Sequence, residues 1–243
     1  MFQLSIGPFS VRVGTEPKWP RRLVIVRHGE SEQNAILDIK DKSLDSLLLE
    51  NQKKVSDVNI PLTQKGISQA IKVGEYLAKT EKFDVCFTSP YLRTKQTAEN
   101  ILSCFDYKIP LYEENRLREK EFGRLHGFTT EEIIKYYPDE FINRERDGKY
   151  WYRLLGGENY PDVEERIHSF MDKMQRNYRG RSLLISTHQV PCLSIRKNYQ
   201  HLSEKEVIEL GNVPNCGIQE YIIDTSKHPE GRMKLVEWNK VVY

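Results

Sequence analysis

The stretch Leu23-Val24-Ile25-Val26-Arg27-His28-Gly29 begins with four consecutive apolar residues and ends in a polar signature. A short, continuous apolar run of this kind is typical of a strand that is buried on both faces, as in a parallel sheet. Two further runs have the same form, Val85-Cys86-Phe87-Thr88-Ser89-Pro90 and Leu183-Leu184-Ile185-Ser186-Thr187-His188, and a weaker one covers residues 217–223. We therefore expect a sheet that is mostly parallel.

Helical periodicity separates these strands. Thr63 can cap a helix, and the clearest pattern covers residues 161 to about 178. The first helix carries Ile67, Ala70, Ile71, Gly74 and Leu77 on one face, and a second helix holds Leu92, Ala98, Ile101 and Leu102. Thr129 and Glu132 have the spacing of a capping box, which predicts a short helix there. Strands that alternate with helices predict an α/β fold, a three-layer α/β/α sandwich around a mostly parallel central sheet.

Length and charge limit the domain organisation and the partners. The 243 residues fit one large α/β domain or two small ones. Lys and Arg total 37 against 35 Asp and Glu, and the formal net charge of +2 argues against nucleic acid as a partner. Residues 1–20 are interrupted by prolines and show no sustained period, so we expect an N-terminal extension followed by one domain over residues 21–243. Residues 40–57 are charged and interrupted, and we interpret them as an insertion.

The sequence does not predict a membrane segment or a signal peptide. The uncharged stretch 182–195 is too short and too polar to span a bilayer, and the first residues lack a basic region. Four cysteines are scattered without metal-ligand spacing, which favours reduced thiols in a cytoplasmic protein: Cys86, Cys104, Cys192 and Cys216.

Three of the predicted strands lead into side chains that suit phosphate chemistry. Arg27 and His28 end the first, Arg93 lies just beyond the second, and His188 follows the third. Because ligands bind beyond the carboxyl ends of strands in an open α/β sheet, we expect these four side chains to meet. Guanidinium groups match phosphate oxygens bidentately, and a histidine can attack phosphorus as a nucleophile. The pattern therefore predicts phosphoryl transfer.

The proton donor for such a reaction is expected within residues 117–123. This segment offers Glu119 and Glu121 close to a glycine, and either carboxyl group can protonate a leaving alkoxide and later activate water. Spacing alone does not choose between them.

Four segments of the chain also occur together, in this order, in a known family. They are Arg27-His28-Gly29-Glu30-Ser31-Glu32-Gln33-Asn34, Pro61-Leu62-Thr63-Gln64-Lys65-Gly66, Thr88-Ser89-Pro90-Tyr91-Leu92-Arg93-Thr94-Lys95-Gln96-Thr97-Ala98 and Thr187-His188. This set resembles the histidine phosphatase superfamily, and the match runs from about residue 22 to residue 224. The resemblance implies a phosphoglycerate mutase-like fold with a helical cap-like insertion.

The resemblance also implies roles for individual residues. His28 becomes the phosphorylated nucleophile, and Glu119 becomes the proton donor because it lies at the Glu of a Leu-x-Glu-x-x-aromatic-Gly pattern. Glu121 is then expected to support the site indirectly or to face solvent. The remaining contacts to phosphate are implied for Arg27, Arg93, His188 and Asn34. No metal is implied, and no cofactor is expected because the family's bis-phosphate cofactor belongs to the mutases.

Residues 122–158 are similar to the fructose-2,6-bisphosphatase branch and to fungal broad-range acid phosphatases, and they are shorter than the mutase insertion. Arg153 and Gln189 match the bisphosphatase pattern and are expected to bind substrate. Gly156 and Leu193 stand where that branch carries a Lys and an Arg, and the loss of two cations should weaken discrimination for a bis-phosphate. The aromatic residues 150–152 either line a substrate cleft or pack this segment onto the core.

We therefore expect a metal-independent phosphatase that hydrolyses small phosphomonoesters through a phosphohistidine intermediate. The expected partner is a small phosphorylated substrate. The sequence does not decide whether the chain forms a homodimer. A phosphoglycerate mutase or a fructose-2,6-bisphosphatase is the first alternative. A non-catalytic protein that binds a phosphorylated ligand is the second, although a pure binder has no need for Glu119.

Overall fold

The computed structural model describes residues 4–6, 9–11, 17–37, 55–80 and 82–243. Most of the expected insertion at residues 40–57 lies outside this part of the chain, and only its last three residues are described. Two short strands near the N-terminus pair antiparallel with each other, β1 (Leu4–Ile6) and β2 (Phe9–Val11).

The central sheet has six strands in the order β5-β4-β6-β3-β7-β8. The first four strands in this order run parallel to one another. β7 pairs antiparallel with β3, and β8 pairs antiparallel with β7 at one edge of the sheet. The sheet is therefore mostly parallel, as predicted. The strands are β3 (Arg22–Arg27), β4 (Val85–Thr88), β5 (Leu111–Glu113), β6 (Ser182–Thr187), β7 (Ile218–Asp224) and β8 (Arg232–Lys240).

The three helices that periodicity predicted are present, the last within one residue of the expected 161–178. Helices follow the strands along the chain. Their bounds are α1 (Glu32–Leu37), α2 (Gln64–Leu77), α3 (Leu92–Leu102), α4 (Thr130–Tyr136), α5 (Pro138–Trp151), α6 (Tyr160–Asn177), α7 (Gln189–Gln200) and α8 (Glu204–Glu209). None of the helices in the described ranges is long and apolar enough to cross a membrane.

Alternating side chains of β3 build the two cores of a three-layer sandwich. Leu23 and Ile25 join one apolar cluster with residues of α6 and α7. Val24 and Val26 point to the opposite face and join a second cluster with residues of α2 and α3. All four side chains are buried, so the continuous apolar run reflects a strand covered by helices on both faces.

The register of the sheet brings the functional strand ends together. Arg27 pairs with Thr187 across β3 and β6, and Thr88 pairs with Ser186 across β4 and β6. Three strands therefore end at the same level, and the residues that follow them share one edge of the sheet.

A helical cap lies over this edge and is formed by residues 122–154, including α4 and α5. The capping box predicted at Thr129 and Glu132 is present. The cap has its own small apolar cluster of Leu125, Tyr152 and Leu154, with Ile133 against it.

The aromatic residues at the end of α5 divide between the two roles considered for them. Tyr150 is buried in the main core and stacks on Tyr160, with ring centroids 5.6 Å apart. Tyr152 belongs to the cap, and Trp151 is 53% exposed. Packing therefore accounts for Tyr150, while Tyr152 lines the cavity described below.

Candidate active site

His28 lies at the carboxyl end of β3, where the chain leaves the sheet. Its backbone N–H donates to the carbonyl oxygen of Thr187 at 2.9 Å, which ties it to the end of β6. Its Nδ1 lies 2.8 Å from the carbonyl oxygen of Gly29. Because a carbonyl oxygen only accepts hydrogen bonds, Nδ1 carries the proton and Nε2 keeps the lone pair. The local backbone thus selects the tautomer that a nucleophile needs.

Electrostatics keep the same imidazole neutral. Burial lowers the pKa of His28 well below its ordinary value, and the positive charges of Arg93 and Arg27 lower it further. Burial also lowers the pKa of His188, with Arg93 and His28 contributing in the same direction. The two rings meet edge to face with centroids 5.2 Å apart. Both imidazoles are therefore uncharged near neutral pH.

Two glycines hold the nucleophile loop against α2. A Cβ built on Gly29 would come within 2.5 Å of the Gly66 carbonyl oxygen, and one built on Gly66 would come within 2.1 Å of the Glu30 carbonyl oxygen. Contacts this short require the absence of a side chain on both sides. The Gly29 N–H also donates to Thr97 Oγ1 at 3.0 Å, which joins the loop to α3.

His188 caps α7 and faces the neighbouring strand end. Its Nε2 lies 2.9 Å from Ser89 Oγ, at the end of β4. Its Nδ1 is buried and has no hydrogen-bond partner in the described part of the chain. Tyr91 packs edge to face against the ring at 5.0 Å. The ring is therefore fixed on two sides.

Two arginines supply the positive charge of the site. Arg27 is anchored by a hydrogen bond to the Val213 carbonyl oxygen, and burial lowers its pKa while the carboxylate of Glu119 opposes that effect. Arg93 is buried and donates through Nη1 to both the carboxylate (2.8 Å) and the carbonyl oxygen (2.7 Å) of Asp57. Arg93 also lies over the ring of Tyr91.

Glu119 is held at the N-terminus of α7 by backbone amides. It accepts hydrogen bonds from the N–H groups of Gln189 at 3.0 Å, Val190 at 3.2 Å and its own neighbour Lys120 at 2.9 Å. The helix N-terminus attracts a carboxylate, so these backbone amides orient the group.

Glu121 has a different environment. It accepts a hydrogen bond from the Tyr91 hydroxyl at 2.8 Å and lies 3.7 Å from Arg118. Glu119 lines the cavity of the site, whereas Glu121 does not. The geometry therefore favours Glu119 of the two carboxylates that spacing left open, and Glu121 contacts the ring that packs on His188.

The expected substrate-binding residues do not all come to the site. Asn34 lines the cavity, with its Oδ1 3.0 Å from Asn215 Nδ2, and Gln189 lines it as well, bonded to Asn212. Arg153 lies outside: its side chain is 60% exposed and pairs with Asp162. The resemblance that suggested Arg153 does not show where its side chain points, and here the side chain pairs with a residue of α6.

A cavity of about 400 Å³ joins the sheet edge to the cap. Four of the five residues expected to be catalytic line it, Arg27, His28, Arg93 and Glu119, together with three cations that the sequence did not suggest. The fifth, His188, does not line the cavity and is fully buried with its ring against that of His28. The cations are Lys120, Arg144 and Lys149. Burial lowers the pKa of Lys120 to about 8. Among the described residues, no group of three or more His, Cys, Asp or Glu is placed to hold a metal ion.

Gly156 and Leu193 do not line this cavity. Leu193 is a buried core residue, and Gly156 adopts a positive φ of 71° in the turn before α6. Neither residue offers this cavity a positive charge, and the expected weaker discrimination for a bis-phosphate stays a prediction.

The family model and the curated relatives that match this chain belong to related groups of proteins. The family model "Histidine phosphatase superfamily (branch 1)" matches residues 23–240. The chain is 32% identical over 171 residues to the phosphoglycerate mutase-like protein AT74H of Arabidopsis thaliana, a match that covers 65% of this chain and only 54% of that protein. It is 31% identical over 193 residues to the 2,3-bisphosphoglycerate-dependent phosphoglycerate mutase 2 of Gloeobacter violaceus, which covers 76% and 78%.

The fold is shared with solved structures. Bacillus stearothermophilus YhfR superposes with a TM-score of 0.72 at 22% sequence identity, over 90% of this chain and 97% of that one. The phosphoglycerate mutase-like fold expected from the sequence is therefore confirmed.

The two neutral imidazoles predict how stability depends on pH. Below about pH 6.5 the unfolded chain binds protons on His28 and His188, whereas the native state resists them, so stability falls as the pH falls. We expect the midpoint of thermal unfolding to drop between pH 7.5 and pH 5.0, and to drop less in His28→Gln. Replacement of the exposed His168 by Gln is the matched control, and an equal reduction of the slope in that control would contradict the assignment.

Proposed function

The chain belongs to branch 1 of the histidine phosphatase superfamily, and from that premise we propose that it hydrolyses small phosphomonoesters through a phosphohistidine intermediate on His28. The observation that carries the proposal is one cavity that combines a neutral, oriented imidazole with two arginines and a separate carboxyl group. A nucleophile, a set of anion-binding groups and a proton donor are the three parts that such a reaction needs.

In the first step, the Nε2 lone pair of His28 attacks phosphorus and the bond to the ester oxygen breaks. Glu119 gives its proton to the departing oxygen, so the alcohol leaves neutral. Arg27 and Arg93 hold the phosphoryl oxygens while their charge redistributes. Both arginines are already in place before substrate binds, which spares the reorganisation that solvent would require.

In the second step, water attacks the phosphohistidine. The Glu119 carboxylate takes a proton from that water, the N–P bond breaks, and inorganic phosphate leaves with His28 restored. Because Glu119 is fixed by backbone amides of α7 rather than by a flexible cation, it can serve as acid and base from the same position.

A second candidate is hydrolysis of a bis-phosphate, the activity of the fructose-2,6-bisphosphatase branch. It is supported by the three cations on the cap side of the cavity, Lys120, Arg144 and Lys149, which have the charge to hold a second anionic group. A phosphoglycerate mutase is the other member of this alternative. A non-catalytic binding protein is less well supported, since binding alone does not require an oriented carboxyl group.

We expect His28→Ala to abolish phosphate release. The test measures turnover of p-nitrophenyl phosphate, 3-phosphoglycerate and fructose 2,6-bisphosphate in the presence of EDTA, because the proposed chemistry needs no metal. Substantial activity of the variant in a clean preparation would exclude His28 as the nucleophile. Turnover of the bis-phosphate alone would select the second candidate, and loss of all activity in EDTA would contradict the mechanism.

We expect Glu119→Gln to separate substrates by leaving group. Its kcat on an alkyl phosphate should fall by about 10²–10⁴-fold, the usual contribution of a general acid, because an alkoxide cannot leave without a proton. The loss on p-nitrophenyl phosphate should be smaller, since that leaving group needs little help. Glu121→Gln is the matched control, and equal losses on both substrates in Glu119→Gln would show that Glu119 is not the donor.

A further inference from the structure

The cap side of the cavity is dominated by apolar side chains. Seven of them come from the cap within residues 122–154, and together they face the phosphate end of the cavity: Phe122, Leu125, Phe128, Ile133, Phe141, Tyr152 and Leu154. Leu125, Tyr152 and Leu154 form the buried base of this wall, whereas Phe122 is 40% exposed and Phe141 is half-buried. The wall therefore presents apolar surface that the protein itself leaves uncovered.

Two polar side chains on the same wall are occupied by neighbours within the protein. The Tyr152 hydroxyl donates to the carboxylate of Glu140, so the ring offers only its apolar surface to the cavity. Lys120 donates to the Glu158 carbonyl oxygen and lies over the ring of Phe122 at 4.7 Å. Apolar atoms of a substrate would gain by leaving water against this wall.

We propose that the substrate is the phosphate ester of an alcohol with an extended apolar body, which lies against the cap wall while the phosphate meets His28. This inference rests on the proposed phosphatase function and names its substrate class. The apolar wall lines the same cavity as Glu119, the proposed donor to the leaving oxygen, so we expect the leaving group to contact the wall.

The test compares n-hexyl phosphate with ethyl phosphate. Both are primary alkyl esters with the same charge and the same kind of leaving group, so only the apolar length differs. We expect kcat/KM to be at least tenfold higher for n-hexyl phosphate, since each buried methylene adds to transition-state binding. Phe141→Ala should reduce this ratio at least threefold.

Ile134→Ala is the matched control, because Ile134 lies on the same cap, is 47% exposed and does not line the cavity. Equal kcat/KM for the two esters, or the same change of ratio in both variants, overturns the substrate class while the phosphatase stands. Faster turnover of fructose 2,6-bisphosphate than of n-hexyl phosphate overturns it as well. If no ester is hydrolysed, the proposed function fails, and calorimetry of both esters with the His28→Ala variant still decides the apolar preference.

An independent observation concerns Asp57, which shares the cavity with the catalytic residues. Its carboxylate and its carbonyl oxygen both bind Nη1 of Arg93, which is only 3% exposed. In the described part of the chain no hydrogen bond is found for the Nε and Nη2 atoms of Arg93. Asp57 therefore fixes one corner of the guanidinium and leaves the rest for phosphate oxygens.

We infer that Asp57 is a positioning residue whose charge also sets the affinity for phosphate. The contact holds Arg93 in the orientation that the reaction uses. At the same time, a carboxylate next to the phosphate site partly neutralises Arg93 and repels a bound dianion. The same group that orients the cation thus promotes release of the product.

Two variants separate these effects. Asp57→Asn keeps an oxygen that accepts from Nη1 but removes the charge, so inorganic phosphate should bind about three- to tenfold more tightly, measured by calorimetry and as product inhibition. Asp57→Ala removes the anchor as well, and kcat should fall at least tenfold while the Asn variant keeps most of it. Glu113→Gln, which breaks an exposed ion pair with Lys95, is the matched control.

Tighter binding is not a result that structural damage produces. Equal loss of kcat in both Asp57 variants, or unchanged or weaker phosphate binding in Asp57→Asn, overturns the inference. The calorimetric measurement does not depend on turnover, so it decides the role of Asp57 even if the proposed phosphatase function fails.

Discussion

The parallel pairing of β3 with β6 is the constraint on which the site depends. Arg27 stands opposite Thr187, and the next residue, His28, donates its backbone N–H to the same Thr187. The two histidines therefore follow two neighbouring strands at the same level. Since side chains alternate between the faces of a strand, a shift of one residue would turn Leu23 and Ile25 towards the wrong helices. The two apolar cores thus enforce the register that places the catalytic rings 5.2 Å apart.

The electrostatic consequence is a site that is prepared for an anion before one arrives. The imidazoles are neutral because burial lowers their pKa, and the two guanidinium groups of the site lower it further. The same positive charge is what a phosphoryl group needs. Asp57 and Glu119 are the acidic groups in the cavity wall nearest these cations, one bound to Arg93 and the other coupled to Arg27. These charged residues come from separate segments of the chain, so no single sequence motif predicts the balance of charge at the site.

The sequence was sufficient for the parts of the fold that long apolar patterns define. Strands covered on both faces and helices with a strong apolar side were predicted closely, because burial dictates residue type at every position. Strand β8 was missed because it lies at the sheet edge and alternates exposed with partly buried residues. Strand β5 was missed because three residues give no period. The N-terminal boundary at residue 20 stays a prediction, although Trp19 packs against the main core.

The sequence predicted best those site residues whose position depends only on the strand or helix that carries them. His28, Arg27, Arg93 and His188 sit at strand ends or in the first turn of a helix, so the sheet alone determines where they go. Arg153, by contrast, depends on how the cap turns, and the structure pairs it with Asp162 outside the cavity. Arg144, Lys149 and Asp57 reach the cavity only through tertiary packing, and no spacing in the sequence marks them.

Glu119 and Lys120 are neighbours in sequence, but their side chains contact different parts of the structure. Glu119 turns to the amides at the start of α7, so its position is set by the helix that follows His188. Lys120, the next residue, turns to the cap and lies over Phe122. One short segment therefore anchors the proposed proton donor to α7 and also contacts the cap. If the proposed roles hold, changes in the cap alter which alcohol fits, while Glu119 keeps its distance from His28 because it is anchored to a different element.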